Sequence, residues 1–276
     1  MKKIDAHQHF WKFDPVRDSW INSEMKVIQK DFLPADLKPL LDQNNFAGCV
    51  VVQSDQSEEE TAFQLQNAEE FDFIKGVIGW VDLQAKNIDA RLQYYSRFKK
   101  LKGFRHILQG EPVRDRMLKP EFMNGIALLK KYNFTFDMLI FPDQLRYIPR
   151  FVESFPEQLF VVDHIAKPDL KEGRIAIWRN EIAAVAKFEN VYCKISGMVT
   201  EANWNSWKKE DFKPSLDVIV EAFGISRVIF GSDWPVCLVA ASYKEVVGIV
   251  KDYFSAFSKE EQDQFFRLNA TRFYKL

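Results

Sequence analysis

The sequence predicts an α/β chain folded as one (β/α)8 barrel of the TIM type, spanning residues 1–276. Three observations carry that expectation. Eight short runs rich in β-branched and aromatic residues recur along the chain, each followed by a helical pattern, and such alternation builds a parallel sheet. Eight strand–helix units in 276 residues match the size of a closed barrel. Side chains suited to ligate a metal end both the first and the last run, and closure makes those two strands neighbours. The competing arrangement, a doubly wound open sheet, gives them no reason to meet.

The elements follow in order. The first run, 4–7, leads into His7-Gln8-His9. Pro34-Ala35-Asp36-Leu37 opens a helix with proline in its first turn and Leu37, Leu40 and Leu41 on one stripe. The second run, 48–53, precedes Ser57-Glu58-Glu59-Glu60, a capping-box-like helix start. Runs at 74–81, 103–108, 134–140 and 159–165 alternate with helical patterns near 87–100, 120–132, 142–155 and 175–188. The seventh run, 191–196, is followed by the longest expected loop, 197–214, which carries Trp204 and Trp207 and should lie over the barrel mouth. A helix at 215–223, the eighth run at 228–233, and helices near 240–257 and 259–270 complete the pattern.

Composition narrows the class. Apolar residues at 47% and charged residues at 28% suit a globular protein with a large core. Lys and Arg number 38 against 39 Asp and Glu, so no net field recruits nucleic acid or an acidic membrane. A small molecule is the expected partner, with an oligomer left open. No run reaches the roughly 18 apolar residues of a membrane span, and Lys2-Lys3 is not followed by an apolar signal segment. A cytoplasmic protein is expected. Cys49, Cys193 and Cys237 are widely spaced and odd in number, which suits reduced core thiols better than a disulfide frame.

The chain has four histidines, and all close strand-like runs. Side chains alternate along a strand, so His7 and His9 share a face and form half of a metal site. His106 closes the fourth run, His164 the sixth and Asp233 the eighth. In a barrel these ends gather where active sites lie. Asp233, among histidines, is suited to take a proton from water. Arg105 and His106 are adjacent, so only one points inward, and both are candidates for substrate contact. Lys194 interrupts an apolar run, where lysine is rarely unpaired; it either meets a substrate oxygen or forms a salt bridge. Gln53, Asp55 and Asp137 are further polar candidates, and Trp11, Trp204 and Trp207 either wall a pocket or pack in loops. By alternation Asp163 should face away from His164, toward a helix.

Six stretches carry a resemblance when taken together: DAHQHFW at 5–11, GFRHILQGEP at 103–112, FTFDMLIFPDQL at 134–145, DHIAKP at 163–168, VYCKISGMVTEANW at 191–204 and FGSDWPVCL at 230–238. Over nearly the whole chain the sequence resembles the amidohydrolase superfamily, and within it the branch of fuconolactonase-, rhamnonolactonase- and galactonolactonase-like sugar-lactone hydrolases. The resemblance implies hydrolysis of an aldono-1,4- or 1,5-lactone, such as L-fuconolactone, to the aldonic acid. It places His7, His9, His164 and Asp233 at metal-site or catalytic positions. The chain departs from two-metal members: no lysine ends the fourth or fifth run, and the seventh offers Lys194 and Ser196 rather than histidine. One divalent ion, zinc by ligand type, is therefore the most expected. The same scaffold also supports non-oxidative decarboxylation of an aromatic acid, or a non-catalytic binding barrel.

Overall fold

The computed structural model describes residues 2–276. Eight strands follow one another around a single sheet in chain order. They are β1 (Lys3–Gln8), β2 (Phe46–Val52), β3 (Ile74–Gly79), β4 (Leu101–His106), β5 (Thr135–Met138), β6 (Phe160–Val162), β7 (Val191–Ile195) and β8 (Val228–Phe230). Every neighbouring pair from β1–β2 to β7–β8 is parallel. The expected (β/α)8 barrel is the observed fold. Its helices are α1 (Pro34–Gln43), α2 (Glu58–Glu70), α3 (Ile88–Tyr95), α4 (Pro120–Leu129), α5 (Ile148–Glu153), α6 (Ala176–Ala186), α7 (Lys209–Phe223), α8 (Tyr243–Tyr253), α9 (Lys259–Asp263) and α10 (Asn269–Tyr274).

The seam between β1 and β8 closes at the end that carries the candidate ligands. Gln8 pairs in parallel with Trp234. The Asp233 N–H donates to the His7 carbonyl at 2.8 Å and the His9 N–H to the Trp234 carbonyl at 2.7 Å.

Apolar side chains form two sets, as strand alternation demands. Ile4, Ala6, Val50, Val52, Ile78, Val161 and Ile229 cluster inside the barrel, where Ala270, Phe273 and Tyr274 of α10 join them. Phe104, Phe136, Phe160, Cys193 and Phe230 belong to the larger cluster beneath the helices. All three cysteines are buried and free. No helix of the described residues is long and apolar enough to cross a membrane.

Two loop expectations need correction. The connection after β7 stops at Lys208, because α7 begins at Lys209 and holds Pro214 within it. The Asp211 carboxylate accepts the Lys208 N–H at 2.7 Å and so starts the helix early. The longest strand-to-helix connection instead follows β1, spanning 9–33 and containing a 3-10 turn at Ser23–Ile28.

Two breaks in strand periodicity shape the site. Along β1, Asp5 pairs with Cys49 but Gln8 with Val51, so three steps on one strand answer two on the other. That is a bulge. It lets Ala6 and His7 both reach the interior, while Asp5 bonds Tyr243 of α8 outside. After β6 the chain enters a left-handed turn: His164, Ile165, Ala166 and Lys167 have φ of 54°, 48°, 56° and 51°. None is glycine, and left-handed backbone costs such residues roughly 1–2 kcal/mol each, which the surrounding packing must offset.

Candidate active site and metal centre

Asp233, just beyond β8, is the hub. Its Oδ1 lies 3.3 Å from His9 Nε2, 3.8 Å from His7 Nε2 and 3.8 Å from His164 Nε2. His7, His164 and Asp233 offer ligand atoms all within 4.8 Å of one another. The far nitrogens are engaged. A carbonyl only accepts, so the His9 Nδ1–H donates to the Val52 carbonyl at 2.7 Å and its Nε2 keeps a lone pair. His164 Nδ1 lies 2.9 Å from Ser196 Oγ, and His7 Nδ1 lies 3.3 Å from Asp163 Oδ1 and 3.2 Å from Lys194 Nζ. His7 Nε2 lies 3.4 Å from Arg105 Nη1.

Ring nitrogens gathered around one carboxylate oxygen form a donor set of the kind a divalent ion takes. Burial holds the His7 and His164 imidazoles well below their ordinary pKa, so they are neutral near pH 7. Burial also opposes ionisation of Asp233, but His164, His9 and Lys167 outweigh it and keep that carboxyl below its usual range. The donor set of imidazole nitrogens and a carboxylate, each oriented from behind, is that of a mononuclear divalent site. The residues fit one ion. Among the described residues, no further acid joins this group of ligand atoms.

Two glycines make the cluster possible. A Cβ on Gly197, whose φ is +62°, would sit 2.5 Å from His164 Nδ1. One on Gly231 would sit 2.5 Å from the His7 Cβ.

A second charged layer lies directly beneath. Lys194 Nζ meets Asp137 Oδ2 at 2.5 Å, Asp163 Oδ1 at 3.0 Å and His7 Nδ1 at 3.2 Å. Tyr274 donates its hydroxyl to Asp137 Oδ2 at 2.9 Å. Burial pushes Asp137 up to about 6, although Lys194 opposes this. Burial likewise favours the neutral form of Asp163, but Lys194, His7 and Arg105 hold it well below the ordinary value. Arg105 donates to Asp163 Oδ2 at 3.2 Å and to the Gln53 carbonyl.

Above the cluster opens a cavity of about 410 Å³, lined by His9, Arg105, His164, Asp233 and Trp204 among others. Four expectations change here. His106 faces outward, bonded to Glu111 at 2.7 Å with its ring edge-on to Phe122 of α4; it is two residues from outward-packed Phe104, and that spacing was the available signal. Lys194 is wholly buried in ion pairs and is outside the cavity lining. Asp163 points inward in step with Val161, two residues before it, and the left-handed turn that starts at His164 brings the imidazole to the same side. Trp11 packs behind the cavity, bonded to the Lys30 carbonyl and edge-on to Trp20 and Phe32.

The remaining candidates divide. Gln53 donates to the Arg105 carbonyl at 3.3 Å from a fully buried position. Asp55 is absent from the lining, and Trp207 is tied to the Ala240 carbonyl at 2.9 Å. Sequence reasoning missed Trp20, Ser54, Thr200, Lys167 and Glu201, all of which line the cavity. Lys167 stands three residues after His164 in DHIAKP, yet no helix or strand period aims it there.

Residues 4–276 match the amidohydrolase family. The chain belongs to that family. The amidohydrolase is 37% identical to an L-fucono-1,5-lactonase of Burkholderia multivorans over 285 aligned positions, covering 99% of this chain and 96% of the relative. It is 34% identical to an L-fucono-1,5-lactonase of Burkholderia ambifaria, covering 87% and 83%. The crystal structure of a Burkholderia multivorans amidohydrolase with bound zinc superposes at a TM-score of 0.97 with 36% identity, both chains covered in full.

Proposed function

We propose that this amidohydrolase opens sugar lactones, with an L-fucono-1,5-lactone-like aldonolactone as the substrate class. The observation that carries the reading is Asp233, a buried carboxyl lining the cavity with three imidazoles around it, in a chain 37% identical to a lactonase along almost its full length. Asp233 removes a proton from water, whose oxygen bonds to the lactone carbonyl carbon. The guanidinium of Arg105, fixed by the Gln53 carbonyl and Asp163, faces the cavity as a donor for the developing oxyanion. Collapse breaks the bond to the ring oxygen, and protonated Asp233 returns its proton to that oxygen as it leaves. The product is a hydroxy acid that ionises in water.

His7, His164 and Asp233, whose ligand atoms group within 4.8 Å, together with His9, 3.3 Å from Asp233, would hold one divalent ion, zinc by donor type and by the zinc in the similar crystal structure. Such an ion supplies Lewis acidity and a lowered water pKa. Asp163, Ser196 and the Val52 carbonyl keep the imidazoles aimed at its position. The aromatic-acid decarboxylase alternative draws on the barrel alone, and a barrel does not fix a reaction.

The test is acid release, followed with a pH indicator, from a stereochemical panel of 1,4- and 1,5-aldonolactones, with protein before and after chelation. The expected result is turnover of a six-carbon or deoxy-sugar lactone above the buffer rate, lost on chelation and restored by one equivalent of zinc. Turnover of no lactone overturns the reading. Full activity in demonstrably metal-free protein overturns its metal component only.

A further inference from the structure

We infer that the catalytic cavity continues into an outer sugar subsite, so that the amidohydrolase also opens lactones of glycosylated aldonic acids, in which a second sugar hangs from the lactone. The inference rests on the lactonase reading above. Next to the inner cavity of about 410 Å³ lies a groove of about 840 Å³. Both fall in the roughly 300–1,000 Å³ range of small-ligand sites. They share a wall made of Lys167, Thr200, Glu201 and Trp204. A single lactone ring over Asp233 uses the inner cavity and leaves the groove free.

The groove's polar lining suits a hydroxyl-rich occupant. Asn203 and Asn205 line the groove and not the inner cavity, and each side-chain amide combines donors with an acceptor, as sugar hydroxyls require. Asn203 Oδ1 also accepts the Asn205 backbone N–H at 3.3 Å, which fixes the Asn203 amide against the loop. The charges at the junction are internally matched, with Lys167 Nζ 3.0 Å from Glu201 Oε1. Glu24, Asp169 and Lys171 also line the groove, so charges of both signs are present and neither dominates. Trp204 stands where the two spaces meet. Its indole N–H donates to the Thr200 carbonyl at 2.9 Å, and the Thr200 hydroxyl donates to the Gly197 carbonyl at 2.7 Å. The indole is thus held by its edge, leaving an apolar face for the C–H face of a sugar ring.

The bonds made and broken are those of the parent hydrolysis, and the glycosidic bond is untouched. The groove acts through binding, so its contribution appears in KM and in kcat/KM rather than in the chemistry at the carbonyl.

The experiment compares two substrates that share a lactone ring: the monosaccharide aldonolactone, and the lactone made by oxidising the reducing end of a disaccharide. Wild type, Trp204→Ala and the double variant Asn203→Ala/Asn205→Ala are measured on both. Wild type should hydrolyse the glycosylated lactone with kcat/KM at least equal to that of its parent. The double variant should lower the ratio of the two kcat/KM values by about 30-fold, as two hydrogen bonds near 1 kcal/mol each predict, mainly by raising KM for the larger substrate. Trp204→Ala should lower the ratio further. The inference is overturned if the parent is turned over and the glycosylated lactone is not, or if the ratio is the same in all three proteins. Failure on both lactones overturns the lactonase reading and the subsite with it.

Discussion

Two buried aspartates flank the seam between β1 and β8, and they behave oppositely. Asp233 lies inside the barrel, with His7, His9 and His164 around its carboxylate, and its pKa falls below the ordinary value. Asp5 lies outside, where it accepts the Ser232 N–H at 2.9 Å, the His7 N–H at 3.3 Å and the Tyr243 hydroxyl at 3.0 Å. Burial pushes Asp5 up to about 6, since those neutral dipoles offset the desolvation only in part. Burial is nearly equal at the two sites, with 4% and 0% exposure. The partners decide the outcome: groups able to carry positive charge keep Asp233 reactive, and neutral donors make Asp5 a clasp between two strands.

Asp233→Asn breaks the reactive side of that contrast. It should lower kcat/KM by about 10²–10⁴-fold, the usual contribution of a general acid–base group, while the far-ultraviolet circular dichroism stays as in wild type. Lactone hydrolysis within threefold of wild type would move the proton chemistry elsewhere.

Asp5→Asn tests the clasp. The carboxyl titrates at about 6 in the fold against 3.8 when free, so its charged form is disfavoured by folding. The stabilisation is complete below pH 3.8 and is lost as pH rises through about 6. A gap near two units is worth about 3 kcal/mol. Denaturant titrations should therefore show the stability difference moving about 3 kcal/mol in favour of Asp5→Asn between pH 3 and pH 7. A difference that does not vary with pH would refute the assignment.

Gly231→Ala sharpens the comparison by forcing the seam apart, since the new Cβ would press on the His7 Cβ at 2.5 Å. Overpacking of this kind costs about 1–3 kcal/mol. Because His7 must shift, zinc affinity measured by competition with a chelating dye should also fall, roughly 10-fold or more. Unchanged affinity would mean that β8 yields without moving the imidazole.

His106→Gln is the smallest expected effect, with kcat/KM within about threefold of wild type, because His106 faces α4 and not the cavity. A loss beyond tenfold would restore it to the site.

Those contrasts also mark where the sequence is legible. Eight apolar runs gave the strands to within a few residues, because burial on both faces leaves near-continuous apolar stretches. His7, His9, His164 and Asp233 were legible as a group, since each closes such a run and closure brings the ends together. Asp163 was not. The argument for its outward direction counted a period of two back from His164, and the left-handed turn begins at His164 itself. The bulge in β1 hid in the same way, although it kept His7 and His9 on one side. Lys167 and Glu201 lie in irregular segments, where neither period applies and only tertiary packing sets direction.

The turn after β6 has a consequence for redesign. Asp163, His164 and Lys167 occupy one five-residue stretch yet serve three neighbours: the Lys194 layer, the Asp233 cluster and Glu201 at the cavity mouth. Its spacing is counted in left-handed steps that four non-glycine residues must all adopt. Inserting or deleting one residue there would misdirect all three side chains at once. The segment after β7, which contributes Thr200, Glu201 and Trp204, holds none of the proposed metal ligands. Beyond Ser196 and Gly197, which hold His164, it is the interchangeable part. Grafts meant to change which lactone is accepted belong after Gly197, with DHIAKP carried over intact as a fixed cassette.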